Sequence, residues 1–365
     1  MNINLVMIVK DEEESLKRCV ESVAPLVDGI VIVDTGSSDR TKETAKELGA
    51  QVWDYRWTGD FAAARNFSLD HSDGDWNLVL DADETLRPAS REVLEQTIDR
   101  ISGEHGQNWM GAITRYDAYH DGDGISVSTL LIPRLLPRGM RYEGIIHEQP
   151  DTQAPCISIG LSADHDGYLS QDKGERNLPY LKKAVLEHPE DTYYQYQMAA
   201  TLRNGRRLED CLPWFRKFYR EVPEEAGYRT EGVLLYLYTL LDLNSRDCLM
   251  EAWDVIEKER IIMGDRADFC FICGIFYMKL VLSDTSAYLS YLPEIENSYL
   301  KCLRLGEVPE LGGVVGTGSF KAAYNLGLWY EVSGQMEKAL EYYRMSAEHG
   351  FAPAEERLNF HNPLL

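Results

Sequence analysis

The sequence predicts an α/β domain with a mixed sheet over residues 1–170, followed by an all-α helical-repeat domain over residues 171–365. Three observations predict it. Short apolar runs alternate with amphipathic helix signals through the first third of the chain, the pattern of a parallel α/β sheet. Two of those runs end in acidic residues, at the strand ends beyond which such sheets bind ligands. After Tyr168 the composition shifts to helix formers and aromatics in a register that fits a roughly 34-residue helical repeat. A chain of 365 residues is long enough for two cores.

The elements follow in order. Ile3–Val9 is an apolar run ended by Lys10-Asp11-Glu12, with neither a basic leader nor a small-residue cleavage site, so it predicts a strand and not a signal sequence. Lys10 to Ser15 then opens an amphipathic helix with Leu16, Cys19, Val20 and Val23 on one face. Gly29–Asp34 is a second buried strand, Ser38-Asp39-Arg40-Thr41 caps a helix that stops at Gly49, and Gln51–Asp54 supplies a third strand. Trp76–Leu80 runs as a strand into Asp81-Ala82-Asp83-Glu84, with Pro88 opening the next helix. From Trp109 to about Ala163, short alternating runs bounded by Gly and Pro predict added antiparallel strands. In the second domain the clearest unit is Ala323-Tyr324-Asn325-Leu326-Gly327 with Tyr330, Gly334, Ala339 and Tyr343. A weaker one runs from Tyr194 to Pro223 with Met198, Ala199, Cys211, Phe215 and Phe218, and residues 228 to 305 read as divergent repeats.

Composition narrows the function classes. With 44% hydrophobic and 27% charged residues the chain should fold throughout. A net charge of −23 repels nucleic acid and anionic lipid. Residues 1–170 hold 30 of the 60 acidic residues but 15 of the 37 basic ones, which suits a site that recruits a divalent cation. The most apolar later stretch, Phe269 to Ser283, is broken by Lys279 and is too short for a transmembrane segment, so a cytoplasmic protein is expected. Seven cysteines form no disulfide framework, and Cys270-Phe271-Ile272-Cys273 lacks a second pair and reads as buried core. Gly312-Gly313-Val314-Val315-Gly316-Thr317-Gly318-Ser319 imitates a phosphate loop but lacks its Lys, and reads as a flexible linker between repeats.

The candidate site residues gather at the strand ends. Asp81 and Asp83, with a small residue between them, can reach one cation; hard oxygen ligands suit Mg²⁺ or Mn²⁺, whose remaining positions a diphosphate can fill. The same triplet could instead form a solvated turn capping the helix at Pro88. Asp34, at the same predicted sheet edge, could accept hydrogen bonds from a base or ribose, or could only shape the turn with Ser37. Arg65 in Ala64-Arg65-Asn66 is a residue type that forks onto phosphate or onto a carboxylate. His147 and Glu148 stand side by side as possible bases, with Glu148 preferred, or as support for the sheet edge. His165, in Asp164-His165-Asp166-Gly167-Tyr168, could be a later metal ligand or a structural His, with Asp166 the less favoured ligand.

Taken together, MIVKDEEESLKRCVESV (7 to 23), IVDTGSSDRT (32 to 41), DFAAARNFSL (60 to 69), GDWNLVLDADE (74 to 84), RYEGIIHEQP (141 to 150) and DHDGY (164 to 168) resemble inverting family 2 glycosyltransferases of the GT-A, Rossmann-like fold. With the helical repeats, the chain resembles the bacterial subset carrying a tetratricopeptide (TPR)-type C-terminal domain. That subset includes SunS-like peptide S-glycosyltransferases and inner-core lipopolysaccharide glucosyltransferases. The resemblance implies that Asp34 contacts the uracil, that Arg65 lies by the donor base and phosphates, that Asp81 contacts the ribose, and that Asp83 binds the metal. More loosely, it implies His165 as a further ligand.

The expected activity is transfer of a hexose or N-acetylhexosamine from a UDP-sugar, with Mn²⁺ or Mg²⁺, to an acceptor. A peptide side chain, S- or O-linked, is the first expectation, and a cell-envelope or lipopolysaccharide saccharide the alternative. The repeat domain would bind the acceptor or pair two subunits in a homodimer. A non-catalytic TPR scaffold is a reading from another class, against which the intact Asp34, Arg65, Asp83 and Glu148 weigh.

Overall fold

The structure is a computed structural model that describes residues 1–121, 124–167 and 173–361. Tyr168 and the expected boundary at residue 170 lie outside the described residues. The chain divides into two compact units: Met1–Glu187 with Pro309–Gly312, and His188–Val308 with Gly313–Leu365. The helix Lys173–Glu187 therefore belongs to the first unit, where Tyr180 packs edge-on to Trp57 and Phe61.

In the first unit the elements are β1 (Ile3–Val9), α1 (Leu16–Val23), β2 (Gly29–Asp34), α2 (Thr41–Glu47), β3 (Gln51–Asp54), α3 (Phe61–Asp70), β4 (Trp76–Val79), β5 (Glu84–Leu86), α4 (Arg91–His105), β6 (Met110–Asp121), β7 (Gly124–Pro137), β8 (Tyr142–Glu143), β9 (Gln149–Pro150) and β10 (Cys156–His165). The main sheet runs in the order β3-β2-β1-β4-β7-β6-β10-β5. Its first four strands are parallel, β7 is antiparallel to both β4 and β6, and β10 is parallel to β6. The fold is thus the mixed-sheet α/β domain expected.

Strand β1 lies inside the parallel half, and its apolar run, interrupted only by the hydrogen-bonded Asn4, follows from burial on both faces. Leu5 and Met7 enter one core with Leu16, Val20, Trp76 and Trp109, while Val6 enters the other with Val31, Ala62, Val79 and Tyr142. Helix α1 buries the four residues read from its period, Leu16, Cys19, Val20 and Val23.

Two expectations change. Glu84–Leu86 pairs with β10 as a strand, and the following helix starts at Arg91, where the Ser90 hydroxyl accepts from the Val93 amide. The Asp81-Ala82-Asp83 turn therefore caps no helix at Pro88. The added strands are also not all antiparallel, because the segment after β7 returns β10 alongside β6 in parallel.

In the second unit consecutive helices pack in pairs: Thr192–Asn204 on Leu208–Glu221, Ala267–Ser283 on Leu292–Leu305, and Phe320–Val332 on Met336–Ala347. The small residues of the repeat motif set the spacing. A Cβ on Gly327 would stand 2.6 Å from the Tyr343 ring, and one on Gly274 would meet the Tyr299 ring at the same distance. Cys270 and Cys273 are free thiols buried in the helix Ala267–Ser283. The glycine-rich segment is not a free linker: Glu307 Oε1 accepts from the Gly316 and Gly318 amides and the Ser319 hydroxyl, each at 2.9 Å. Among the described residues no helix is long and apolar enough to cross a membrane.

Candidate active site

The carboxyl ends of β1 and β2 lead into two loops that hold each other. Asp11 Oδ1 accepts from the amide and hydroxyl of Ser38, the Asp11 amide donates to the Ser37 hydroxyl, and the Glu12 amide donates to the Thr41 hydroxyl at 2.7 Å. Polar residues dominate both segments because each supplies the other's missing backbone partners. Behind them Asp34, 1% exposed, accepts from the Gly36 and Ser37 amides through Oδ1, both at 3.0 Å. Its Oδ2 is buried with no partner among the described residues. A buried acceptor left without a donor costs about 1–3 kcal/mol, so this oxygen suits an incoming N–H.

Arg65 is carried by α3, whose start is fixed twice. Asp60 caps the helix at the Ala63 amide, and the Phe61 amide donates to the Ile145 carbonyl, tying α3 to the segment that bears His147 and Glu148. Asn66 adds two bonds to the Tyr142 backbone, each 2.8 Å. Arg65 can then reach both ways. Its Nε lies 2.7 Å from Glu148 Oε1, and its Nη2 lies 2.6 Å from Asp81 Oδ1. Nη1 is buried with no partner among the described residues, and the Tyr142 hydroxyl near the guanidinium is likewise unpartnered there.

Asp81 meets a second guanidinium, with Arg134 Nη2 2.8 Å from its Oδ2. Burial alone would raise the Asp81 carboxyl, but Arg65 and Arg134 outweigh it and hold it well below the usual carboxylate range. Arg134 comes from β7 at a bulge: Leu135 pairs with Gly111 but Pro133 pairs with the adjacent Ala112, which leaves Arg134 as the extra residue. Such a residue is re-aimed relative to the regular pleat, and Pro133, lacking an N–H, is tolerated in a strand at such a point.

The other end of the turn carries Asp83. His165 Nε2 stands 3.4 Å from Asp83 Oδ2, and its Nδ1 stands 2.7 Å from Asp117 Oδ1. Burial would lower the imidazole, but the hydrogen bonds of Asp117 and Asp83 overcome it and raise its pKa to about 9. Glu84, His165 and Asp117 stand abreast on β5, β10 and β6. Among the described residues no group of three or more His, Cys, Asp and Glu side chains is arranged to hold a metal ion. Asp83 and His165 nevertheless offer one oxygen and one nitrogen, with Asp117 orienting the ring as a carboxylate does behind many metal-bound histidines. That donor set fits a divalent ion that keeps waters and phosphate oxygens as its other ligands.

The residues picked from the sequence thus fall into two groups, Arg65–Asp81–Glu148 and Asp83–His165, while Asp34 Oδ1 is taken by the Gly36 and Ser37 amides. His147 has a left-handed backbone, φ 51°, and its Nε2 is buried with no partner among the described residues. Burial, and then the charge of Arg176, lowers its pKa to about 4. Asp166 pairs with Arg18 at 2.7 Å. Sequence reading missed Glu84, Arg115, Asp117, Arg134 and Tyr142. The usable signal was the lone Arg within the apolar run Leu130-Leu131-Ile132-Pro133-Arg134-Leu135-Leu136.

Residues 5–122 match the family model of glycosyl transferase family 2. An uncharacterized glycosyltransferase of Rickettsia bellii is 33% identical over 217 residues, covering 59% of this chain and 69% of its own. A TPR repeat-containing protein of Synechococcus elongatus is 31% identical over 263 residues, covering 67% and 62%. The SPbeta prophage-derived glycosyltransferase SunS of Bacillus subtilis is 22% identical over 275 residues, covering 69% and 62%. The chain spans between 36% and 62% of the length of the first curated relatives it matches.

Proposed function

Because the chain belongs to glycosyl transferase family 2, we propose that it is an inverting transferase moving a hexose or N-acetylhexosamine from a UDP-sugar to a peptide side chain. The observation that carries this reading is Asp34, a buried carboxylate at the carboxyl end of β2 with one oxygen lacking a donor. A uracil imide N–H is such a donor. Arg65, beside Asp81, is suited to the ribose and phosphate side of the same nucleotide.

Inversion requires one displacement. The acceptor hydroxyl or thiol gives its proton to Glu148 as its oxygen or sulfur bonds to the anomeric carbon, and the bond to the diphosphate breaks with its electron pair on the leaving oxygen. Arg65 fixes Glu148 by Oε1, and Oε2 makes no hydrogen bond among the described residues. Mg²⁺ or Mn²⁺, bound by Asp83 and His165, would supply neutralisation of charge on the departing diphosphate. The peptide acceptor rests on the resemblance set out above and on the helical repeats, an architecture that commonly binds extended chains. Acceptor binding or pairing of two subunits is the role proposed for the second unit, and the cytoplasm the proposed location.

The test is incubation with UDP-sugars, Mn²⁺, and panels of peptide and saccharide acceptors read by mass spectrometry. A hexose mass on a peptide is expected. A product on saccharides alone moves the acceptor to the cell-envelope class. Metal-dependent UDP-sugar hydrolysis untouched by Asp83→Ala removes Asp83 from the metal site, and neither hydrolysis nor UDP binding leaves only a scaffold.

A further inference from the structure

Buried ion pairs in this unit form one continuous line. From Glu148 it runs through Arg65 to Asp81 and on to Arg134. The same Arg134 nitrogen meets Glu84 Oε1, which also takes Arg115 Nη1 at 3.2 Å. Arg115 Nε lies 2.7 Å from Asp117 Oδ1, and Asp117 leads to His165 and Asp83. Acid and base alternate without a break from one candidate group to the other. Every side chain in the line is 12% exposed or less except Asp81, at 36%. The line thus reaches solvent chiefly where a ligand would enter.

Its midpoint is Glu84, which is fully buried. Oε1 holds Arg134 on one side and Arg115 on the other, while Oε2 accepts from the Asp81 amide at 3.1 Å, and the Glu84 amide donates back to the Asp81 carbonyl at 3.0 Å. One carboxylate therefore fixes the backbone of the turn, the guanidinium that orients the Asp81 side chain, and the guanidinium that orients Asp117. Well-packed apolar residues would stabilise such a core as well as buried charges do. What the charges add is direction, because each guanidinium fork admits few geometries.

We infer that Glu84 is a positioning residue that sets the Asp81 side and the Asp83–His165 side of the site in a common geometry, so that nucleotide and cation binding depend on the same buried carboxylate. The inference rests on the donor-binding reading above. Glu84 itself touches no substrate.

The test measures UDP binding by calorimetry as Mn²⁺ is varied, alongside thermal unfolding. Glu84→Gln keeps size and shape but removes the charge. It is expected to raise the UDP Kd at fixed Mn²⁺, and the Mn²⁺ midpoint for UDP binding, each by about 10-fold or more, the usual effect of losing an outer-shell partner. A merely structural role lowers Tm and leaves both constants of the folded protein unchanged, and that result overturns the inference. Should Glu84→Gln fail to fold, Arg134→Lys and Arg115→Lys keep charge but lose the fork. The first is expected to shift the UDP Kd and the second the Mn²⁺ midpoint, and two unchanged constants again overturn it. Wild-type protein that binds no UDP removes the donor reading instead, which distinguishes the two failures.

Discussion

Nε of Arg65 lies 2.7 Å from Oε1 of Glu148. The contact gives the carboxylate a fixed direction within a largely buried setting, where an unfixed side chain would sample several rotamers. It also makes one oxygen unequal to the other: Oε1 is held by the guanidinium, and in the proposed mechanism Oε2 takes the acceptor proton.

If Glu148 takes the acceptor proton, Glu148→Gln keeps an oxygen for Arg65 but loses the base. Transfer under single-turnover conditions is expected to fall by about 10²–10⁴-fold, while the UDP Kd changes only a few-fold. Transfer within threefold of wild type would assign the proton to another group, with His147 next in line.

His147 makes stability depend on pH. Its folded pKa, about 4, lies below the unperturbed imidazole value of about 6.5. Between those values the unfolded chain binds the extra proton, so stability rises with pH. The contribution is complete above about pH 7 and is lost as pH falls through 6.5 towards 4, on the order of 2–3 kcal/mol. His147→Gln should flatten that limb when urea midpoints are compared at pH 7.5 and pH 5. An unchanged acid limb would show that the imidazole is solvated.

In the second unit Arg229 and Glu259 form a two-pronged pair, 2.8 Å at each prong, and the Tyr219 hydroxyl donates to the same carboxylate at 2.9 Å. Glu259 is fully buried. Glu259→Ala strands a buried guanidinium and should lower unfolding free energy by about 3–5 kcal/mol. Replacing both partners together, Arg229→Met with Glu259→Leu, should cost far less. Equal losses in the single and double variants, measured by urea titration, would refute the strain on the stranded charge.

Much of the first unit was legible because β1, β4 and most of β2 are buried on both faces. The runs at Ile3–Val9 and Gly29–Asp34 carry that burial as plain apolarity, and the period of Leu16, Cys19, Val20 and Val23 gives the face of α1. Pro88 misled because Ser90 offers the better cap, and the intervening residues found a partner in β10. The parallel pairing of β10 with β6 depends on a long return, which local pattern does not encode. Among the site residues, those at strand ends and in the Ala64-Arg65-Asn66 segment of α3 were visible as polar residues next to apolar ones. Arg115 and Asp117 were not, since strand alternation also accounts for them and only the sheet order brings Asp117 beside His165. Why Arg134 interrupts an apolar strand became clear only from Asp81 and Glu84 across the sheet.

Arg134 owes its aim to the extra residue that β7 carries opposite Gly111 and Ala112. The tolerance of this segment is therefore a matter of counting as much as of chemistry. Removing one residue between Ile132 and Leu136 restores an even ladder in which later side chains keep their faces, but leaves no extra residue to be aimed at Asp81 and Glu84. Loop lengths elsewhere can drift as the chain diverges, whereas this strand has to keep its irregular length. A scan that changes residues one at a time would pass over that constraint.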